Sequence, residues 1–350
     1  MKHFLFCILL FVSFSLFAQE SSDYSVYLIG DAGEDTIPGK ALLMLKEELL
    51  KNPNSAVVFL GDNVYPAGLK PNDKGSESHL ESQLSILKEY QGQVYFIPGN
   101  HDWAAQTMGG LKRVKYQEHF VSDYLKKKSI CSNRNKNTFL PSNGLPGPTS
   151  VMLNKNLRLI TIDTQWFLHR FKKTKNGSKK NTERLFYIKL DSILKVAKQN
   201  QEQVLITAHH PMYTNGQHSR SRQPFRFLIN KTPFFIFGLA GMYNLYFQDI
   251  SQPTYKKMRN RMLTVFNQYN NIIYASGHDH NLQFIMGNEN RYIVSGCGSK
   301  LSRLNKKKKF DAVFEDDKKI GFAKLIYEPD GSHHTIIFRV DEAQKELEGF

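Results

Sequence analysis

Short, mostly apolar runs recur along the chain, each ending abruptly in small or polar residues: Val26–Ile29, Ala56–Leu60, Val94–Ile97, Leu157–Ile162, Val204–Thr207, Ile272–Ala275 and Tyr292–Ser295. Runs this short and this apolar predict buried strands. Between the first two, Ala41–Leu50 combines helix formers with apolar residues on one side, which predicts a strand–helix–strand unit. Leu80–Tyr90 and Leu185–Asn200 repeat the helical pattern. Strands alternating with helices imply an α/β core. Towards the C-terminus, Gly321–Tyr327 and Thr335–Val340 alternate apolar and polar residues around Glu328-Pro-Asp-Gly-Ser332, a hairpin signal that adds antiparallel pairing. Asn133–Thr149, rich in Asn, Pro, Gly and Ser, reads as a surface loop, and there is no internal repeat.

Composition narrows the class. The 350 residues are 41% hydrophobic and 23% charged, which excludes a disordered chain, a collagen and, with 3 Cys, a disulfide scaffold. Lys2, the apolar stretch Phe4–Phe17 and Ala18 form a secretory signal-peptide pattern over residues 1–18. The stretch is too short to cross a bilayer easily, which takes about 20 apolar residues. The mature chain, 19–350, is then expected to be exported, periplasmic or secreted, and to form one domain. Cys7 leaves with the signal, and Cys131 and Cys297 allow at most one bridge. Neither belongs to a CxxC pair, so a thiolate zinc site is not expected.

The formal net charge of +15 drops to +14 when Lys2 is removed. Basic residues cluster at Lys126–Lys128, Lys172–Lys180 and Lys306–Lys309, as solvated loops or as attractors of anionic substrates and membrane surfaces. No basic helix or aromatic-interleaved module is present, so a nucleic-acid partner is not expected.

The strand ends carry the chemistry. Gly30-Asp31-Ala32-Gly33, Gly61-Asp62-Asn63-Val64-Tyr65, Gly99-Asn100-His101-Asp102, Ala208-His209-His210-Pro211 and Gly277-His278-Asp279-His280 each follow a predicted strand. Ligands of open α/β sheets bind beyond the carboxyl ends of strands, so these tips can converge, and the glycines let backbone approach an ion or phosphate closely. Taken singly the pieces are weak: Asp31 is as well read as a turn residue, and His210 is expected to point away from His209 in an extended segment. In His278-Asp279-His280 the alternate imidazoles share a face, where both can serve neighbouring ions. Asp102 either orients His101 or caps the turn, and Asp163 reads as structural.

In these motifs, from Asp31 to His280, the chain resembles the calcineurin-like metallophosphoesterase superfamily, and within it the purple acid phosphatases of the small tartrate-resistant type. Gly33 stands where many members of the superfamily carry a His, and Tyr65, three residues after Asp62, supplies the replacement ligand of the purple branch. Gly277–Ile285 is also similar to the small enzymes. The resemblance implies an α/β/β/α sandwich of two mixed sheets flanked by helices. It implies one metal held by Asp31, Asp62, Tyr65 and His280 and a second held by Asp62, Asn100, His209 and His278, with Asp62 as the bridge. A phenolate suits a trivalent ion, while Asn and two imidazoles suit a divalent one, so the implied cofactor is Fe(III) with divalent Fe, Zn or Mn. The implied activity is hydrolysis of small phosphate monoesters by in-line attack of hydroxide. His101 is the first candidate general acid, and His218 matches a second active-site His, against an ordinary loop residue among Asn, Gln, Ser and Arg.

One segment has no counterpart in that comparison. Within about 220–262, Pro233–Phe247 contains no charge and is flanked by Arg220, Arg222, Arg226 and Lys231 on one side and Lys256, Lys257, Arg259 and Arg261 on the other. It is read either as a lid or helix packed beside the site or as an interfacial element touching an anionic membrane surface. Two further functions stay open: a phosphodiesterase, lipid-head-group or nucleotide hydrolase using the same centre, and a membrane-surface binding protein with a vestigial site. The complete ligand set argues against the latter.

Overall fold

The structure is a computed structural model, and it describes residues 23–170, 178–219, 248 and 250–347. The signal-peptide stretch 1–18 and the uncharged stretch Pro233–Phe247, with the basic residues before it, lie outside the described residues.

The first half of the chain alternates as its apolar runs predict. Strand β1 (Tyr24–Ile29) leads through helix α1 (Lys40–Lys51) to β2 (Ser55–Phe59), and α2 (Lys74–Ser85) leads to β3 (Gln93–Phe96). These three strands are parallel. Helix α3 (Gly110–Lys127) has no counterpart in the predicted elements, and α2 starts six residues before the predicted Leu80 because Asp73 caps it, accepting from the Gly75 amide at 3.1 Å. A second series follows: β4 (Thr149–Met152), β5 (Leu157–Ile162), α4 (Thr164–Leu168), α5 (Lys179–Gln199), β6 (Gln203–Ala208), α6 (Pro253–Phe266) and β7 (Ile272–Ser276). The chain ends in mainly antiparallel structure: β8 (Leu282–Gly287), β9 (Asn290–Ser295), which is also parallel to β7, β10 (Ala312–Asp316), the predicted hairpin β11 (Gly321–Tyr327) and β12 (His333–Arg339), and β13 (Lys345–Leu347).

Two mixed sheets result, ordered β13-β12-β11-β1-β2-β3 and β10-β8-β9-β7-β6-β5-β4. Alternate residues of the central strands enter different cores. Val26, Leu28, Val58, Leu159, Leu205 and Ile273 meet in the layer between the sheets. Tyr27, Ile29, Phe59, Ile160 and Ile206 face the helices, with Leu45 of α1 and Leu190 of α5. Both faces are therefore dry, which is why these strands read as continuous apolar runs. The outcome is the expected α/β/β/α sandwich.

Asn133–Thr149 is not simply a surface loop. Asn133 pairs both ways with the Val94 backbone, and the Phe96 amide and carbonyl bond Thr138 and Leu140, each at 2.8 Å. Thr138 and Phe139 are fully buried, so the segment covers the free edge of β3, a role that turn-rich composition does not reveal. Cys131 and Cys297 are both buried and free, so the bridge that their number allowed is not formed.

Candidate metal centre

The parallel strands β1, β2, β3, β6 and β7 end on one side of the molecule, and all five polar tips meet there. Asp31, Asp62 and His278 adopt left-handed backbone conformations, with φ of 56°, 54° and 69°. Such conformations cost roughly 1–3 kcal/mol each in a non-glycine residue, and they turn each side chain sharply inward at the strand end. The glycines beside them are required by contact. A Cβ on Gly99 would lie 2.2 Å from Asp62 Oδ1, and one on Gly277 would lie 2.4 Å from Asp31 Oδ2. Each tip is thus packed on the carboxylate of another.

The Tyr65 hydroxyl lies 2.9 Å from Asp31 Oδ1, 3.1 Å from Asp62 Oδ2 and 3.3 Å from His280 Nε2. A phenol has one proton and cannot donate to both carboxylates at once. Burial, and then the Asp31 and Asp62 charges, push its pKa well above the ordinary value, so the phenolate forms only where a cation compensates it. On the other side of Asp62, His209 Nδ1 donates to the Leu60 carbonyl at 2.9 Å, and His278 Nε2 donates to the Gln248 carbonyl at 3.2 Å. Their remaining nitrogens both face Asn100 Oδ1 at 3.0 Å, and His209 Nε2 is 3.4 Å from Asp62 Oδ2. Lone pairs pointing at lone pairs require a cation or a proton between them.

In the protein alone that cation is a proton. Burial by itself would lower the His209 pKa, but the Asp62 and Asp31 carboxylates outweigh it and raise the value to about 9. Asp62 in turn, despite its burial, is held well below the usual carboxylate range by His209 and His101. His278 is pushed well below its ordinary value by burial and by its neighbours His218, His210 and His209, which keeps its ring neutral and able to ligate. Among the described residues, Asp31, Asp62 and His209 bring ligand atoms within 4.8 Å of one another. The residues of both donor sets in the sequence analysis are therefore brought together around Asp62, and their oxygen and imidazole donors are of the kinds that hold metal cations.

Gly33 explains why the first motif lacks its His. A Cβ there would fall 2.2 Å from the Asn63 carbonyl carbon, and the Gly33 carbonyl accepts from the Tyr65 amide at 3.1 Å. The loop that presents Tyr65 occupies the room a side chain at 33 would need. A side chain at 33 and this placement of Tyr65 thus exclude each other.

The candidate acid His101 is partly exposed beside Tyr65, with ring centroids 4.3 Å apart, and its Nε2 is 3.8 Å from Asp62 Oδ2. Its Nδ1 donates to the Pro66 carbonyl. Asp102 does not orient this ring. It accepts from the Gly99, Asn63 and Val64 amides and from Asn63 Nδ2, tying the second tip to the third. Burial and Asp62 raise its pKa to about 7. His218 is not an exposed loop residue: its ring stacks on His278 at 4.2 Å, and its amide donates to Asp279. His210 does not point away from His209, because β6 ends at Ala208 and strand alternation stops there; the two ring centroids are 5.0 Å apart. The His210 ring also lies 4.4 Å from His278 and is held by Thr164 and Gln248. Asp163 is structural, accepting from the Trp166 amide and from Trp103 Nε1.

Some supports escaped the sequence reading. Asp279 accepts from Thr214 Oγ1 at 2.6 Å and from the His218 amide, so it fixes the loop that carries His218. Alternation within His278-Asp279-His280 gives a signal for this, since the middle side chain must face the other way. Lys300 stands 3.3 Å above the Tyr65 ring centroid and pairs with Glu34 at 2.8 Å, which no local pattern announces.

The family model for calcineurin-like phosphoesterases matches residues 24–282. No curated protein matches the sequence. Among solved structures, the chain is similar to GAP50, "the anchor in the inner membrane complex of Plasmodium", at 16% identity and a TM-score of 0.57, covering 94% of this chain and 90% of that one. It is similar to a dimetal phosphatase from Danio rerio at 12% identity and a TM-score of 0.54, covering 93% and 98%. It is also similar to purple acid phosphatase PPD1 from yellow lupin seeds at 15% and 0.55, where 95% of this chain spans 54% of that protein. At these identities the likeness is one of fold.

Proposed function

The chain belongs to the calcineurin-like phosphoesterase family, and from that premise we propose that it is an exported phosphatase that hydrolyses small phosphate monoesters at an Fe(III)–M(II) centre, M being Fe, Zn or Mn. The observation that carries the metal assignment is Tyr65, a buried phenol set between two carboxylates and facing His280. When bound, the cation pair supplies charge neutralisation and activation of water for phosphoryl transfer. The chain's own residues do the rest. Asp62 is fixed by the His101 amide at 2.8 Å, and Asp31 by the His278 amide at 2.8 Å, so neither carboxylate must reorganise during turnover. With Nδ1–H of His101 anchored on the Pro66 carbonyl, Nε2 is the atom that delivers a proton to the departing alkoxide. His218, stacked on His278, borders the same space from the opposite loop.

The preference for monoesters over diesters rests on the similarity of Gly277–Ile285 to the small purple enzymes, and export rests on residues 1–18. Contact of 220–262 with an anionic membrane is part of the same proposal, but on the side of α6 two of the four basic residues are engaged within the protein. Arg259 bonds the Met212 carbonyl and covers the Tyr213 ring, and Arg261 pairs with Glu183 over the Tyr187 ring, which leaves Lys256 and Lys257 as the exposed charges of α6. Among the described residues, no helix is long and apolar enough to cross a membrane.

The test is metal analysis of purified protein together with a phosphate-ester panel. About one iron and one further metal per chain, a visible phenolate-to-iron absorption band and faster turnover of p-nitrophenyl phosphate than of its bis-ester are expected. A colourless, iron-free preparation with full activity would refute the iron assignment, and preference for the bis-ester would refute the substrate class.

A further inference from the structure

Strand β9 runs parallel to β7, so its carboxyl end arrives among the five ligand-bearing tips. This sixth tip, Gly296-Cys-Gly-Ser-Lys300, carries none of the residues of either donor set, yet it is zipped onto the tip that bears Asp31. The Gly30 amide donates to the Ser295 carbonyl at 2.8 Å and the Gly298 amide to the Gly30 carbonyl at 3.0 Å. The Ser299 hydroxyl donates to the Asp31 carbonyl, and the Glu34 amide donates to Ser299 Oγ at 3.3 Å. Even a Cβ on Gly298 would fall 2.8 Å from the Gly30 carbonyl oxygen and 2.9 Å from the Ala32 Cβ. The backbone leading to Lys300 is therefore fixed against the metal centre.

What this tip delivers is a cation. Lys300 Nζ stands 3.3 Å from the Tyr65 ring centroid, well inside the roughly 6 Å over which a cation is drawn to an aromatic face. It also pairs with Glu34 Oε2 at 2.8 Å, but the two side chains are 30% and 49% exposed, and an ion pair so open to water adds little to stability. The consequence lies in the ring. A phenol that yields its proton to a metal spreads negative charge into its π system, so the ammonium interacts more strongly with the metal-bound phenolate than with the free phenol. That difference couples Lys300 to the ion on the hydroxyl side of the ring: a phenolate whose electrons are held by a cation donates less, which leaves the ion a stronger Lewis acid.

With iron on Tyr65 as the premise, we propose that Lys300 is a positioning residue that acts on the ferric ion through the Tyr65 ring, raising its reduction potential and moving the phenolate-to-iron band to shorter wavelength. Absorption spectra and redox titration of the iron-loaded full chain test it in the wild type, Lys300→Met and Lys300→Arg. Lys51→Met serves as the control for net charge, since Lys51 lies at the opposite end of β2 from Asp62. Lys300→Met is expected to shift the band to longer wavelength and to lower the equilibrium constant for one-electron reduction about tenfold, or ~59 mV. Lys300→Arg should restore both, because a guanidinium also stacks on an aromatic face, and Lys51→Met should move neither. A coloured wild type whose band and potential are unchanged in Lys300→Met overturns the role of Lys300 and leaves the iron assignment standing. So does a shift that Lys51→Met equals or that Lys300→Arg does not reverse. A colourless, iron-free wild type overturns the iron assignment and this role with it. If Lys300→Met does not fold or load iron, the same comparison in Lys300→Gln decides.

Discussion

Gly99 is where the packing of the metal centre can be perturbed with one methyl group. Its φ is not in the left-handed region, so alanine brings no backbone strain of its own. The added Cβ would lie 2.2 Å from Asp62 Oδ1 and 2.3 Å from the Asp62 amide nitrogen, distances at which something must shift. Gly61, on the other flank, is already close to Gly99, so Asp62 cannot simply retreat. Relief needs a displacement of about 1 Å, and a misplacement of that size at a reacting centre lowers the rate on the order of 100-fold. This corresponds to about 2.7 kcal/mol in the barrier. Overpacking costs roughly 1–3 kcal/mol of stability, so Gly99→Ala should stay folded at 25 °C with a lowered Tm. The assay is kcat for p-nitrophenyl phosphate alongside metal content and a thermal melt. A folded variant within about threefold of wild-type turnover and with full metal content would refute the claim that the third tip fixes the shared carboxylate.

Loading the metal-free protein should release protons, because His209, with a pKa of about 9, and Tyr65, with a raised one, both carry protons that a cation displaces. Calorimetry in two buffers of different ionisation enthalpy at pH 7.5 reads the number, expected near two, and no release would contradict the donor arrangement. The raised His209 pKa also makes its stabilising contribution to the metal-free chain complete below 6.5 and lost as pH rises through about 9, which a urea titration at several pH values checks. His101→Gln should leave p-nitrophenyl phosphate turnover within about tenfold, because that leaving group needs little protonation, while an alkyl phosphate loses about 100-fold or more; equal losses would remove His101 from the acid role. Asp163→Ala removes both the cap of α4 and the acceptor for Trp103 Nε1, and should cost about 2–4 kcal/mol in urea unfolding.

The α/β core and the polar strand tips were legible because burial on both faces leaves apolar runs and because the tips carry polar residues beside glycine, while the two-sheet sandwich and the two donor sets came from the family resemblance. What escaped prediction depends on contacts remote in sequence. Asn133–Thr149 has the composition of a loop, yet its backbone covers β3, since an edge strand needs a partner whatever the side chains are. His210 was misplaced for a different reason: strand alternation was extended beyond Ala208, the last residue of β6, whereas Asp102 takes the turn-capping role that was one of its two readings. Lys300 is an isolated residue whose partners, Tyr65 and Glu34, are remote in sequence.

The central claim is that Asp62 is shared by two cations, one of them on Tyr65. Anomalous-scattering maps from crystals of the metal-loaded protein, collected on either side of the iron edge, test it most directly. The account predicts two peaks flanking Asp62, with the iron peak on the side of Tyr65, Asp31 and His280. A single peak, or an iron peak on the side of Asn100 and His209, would contradict it.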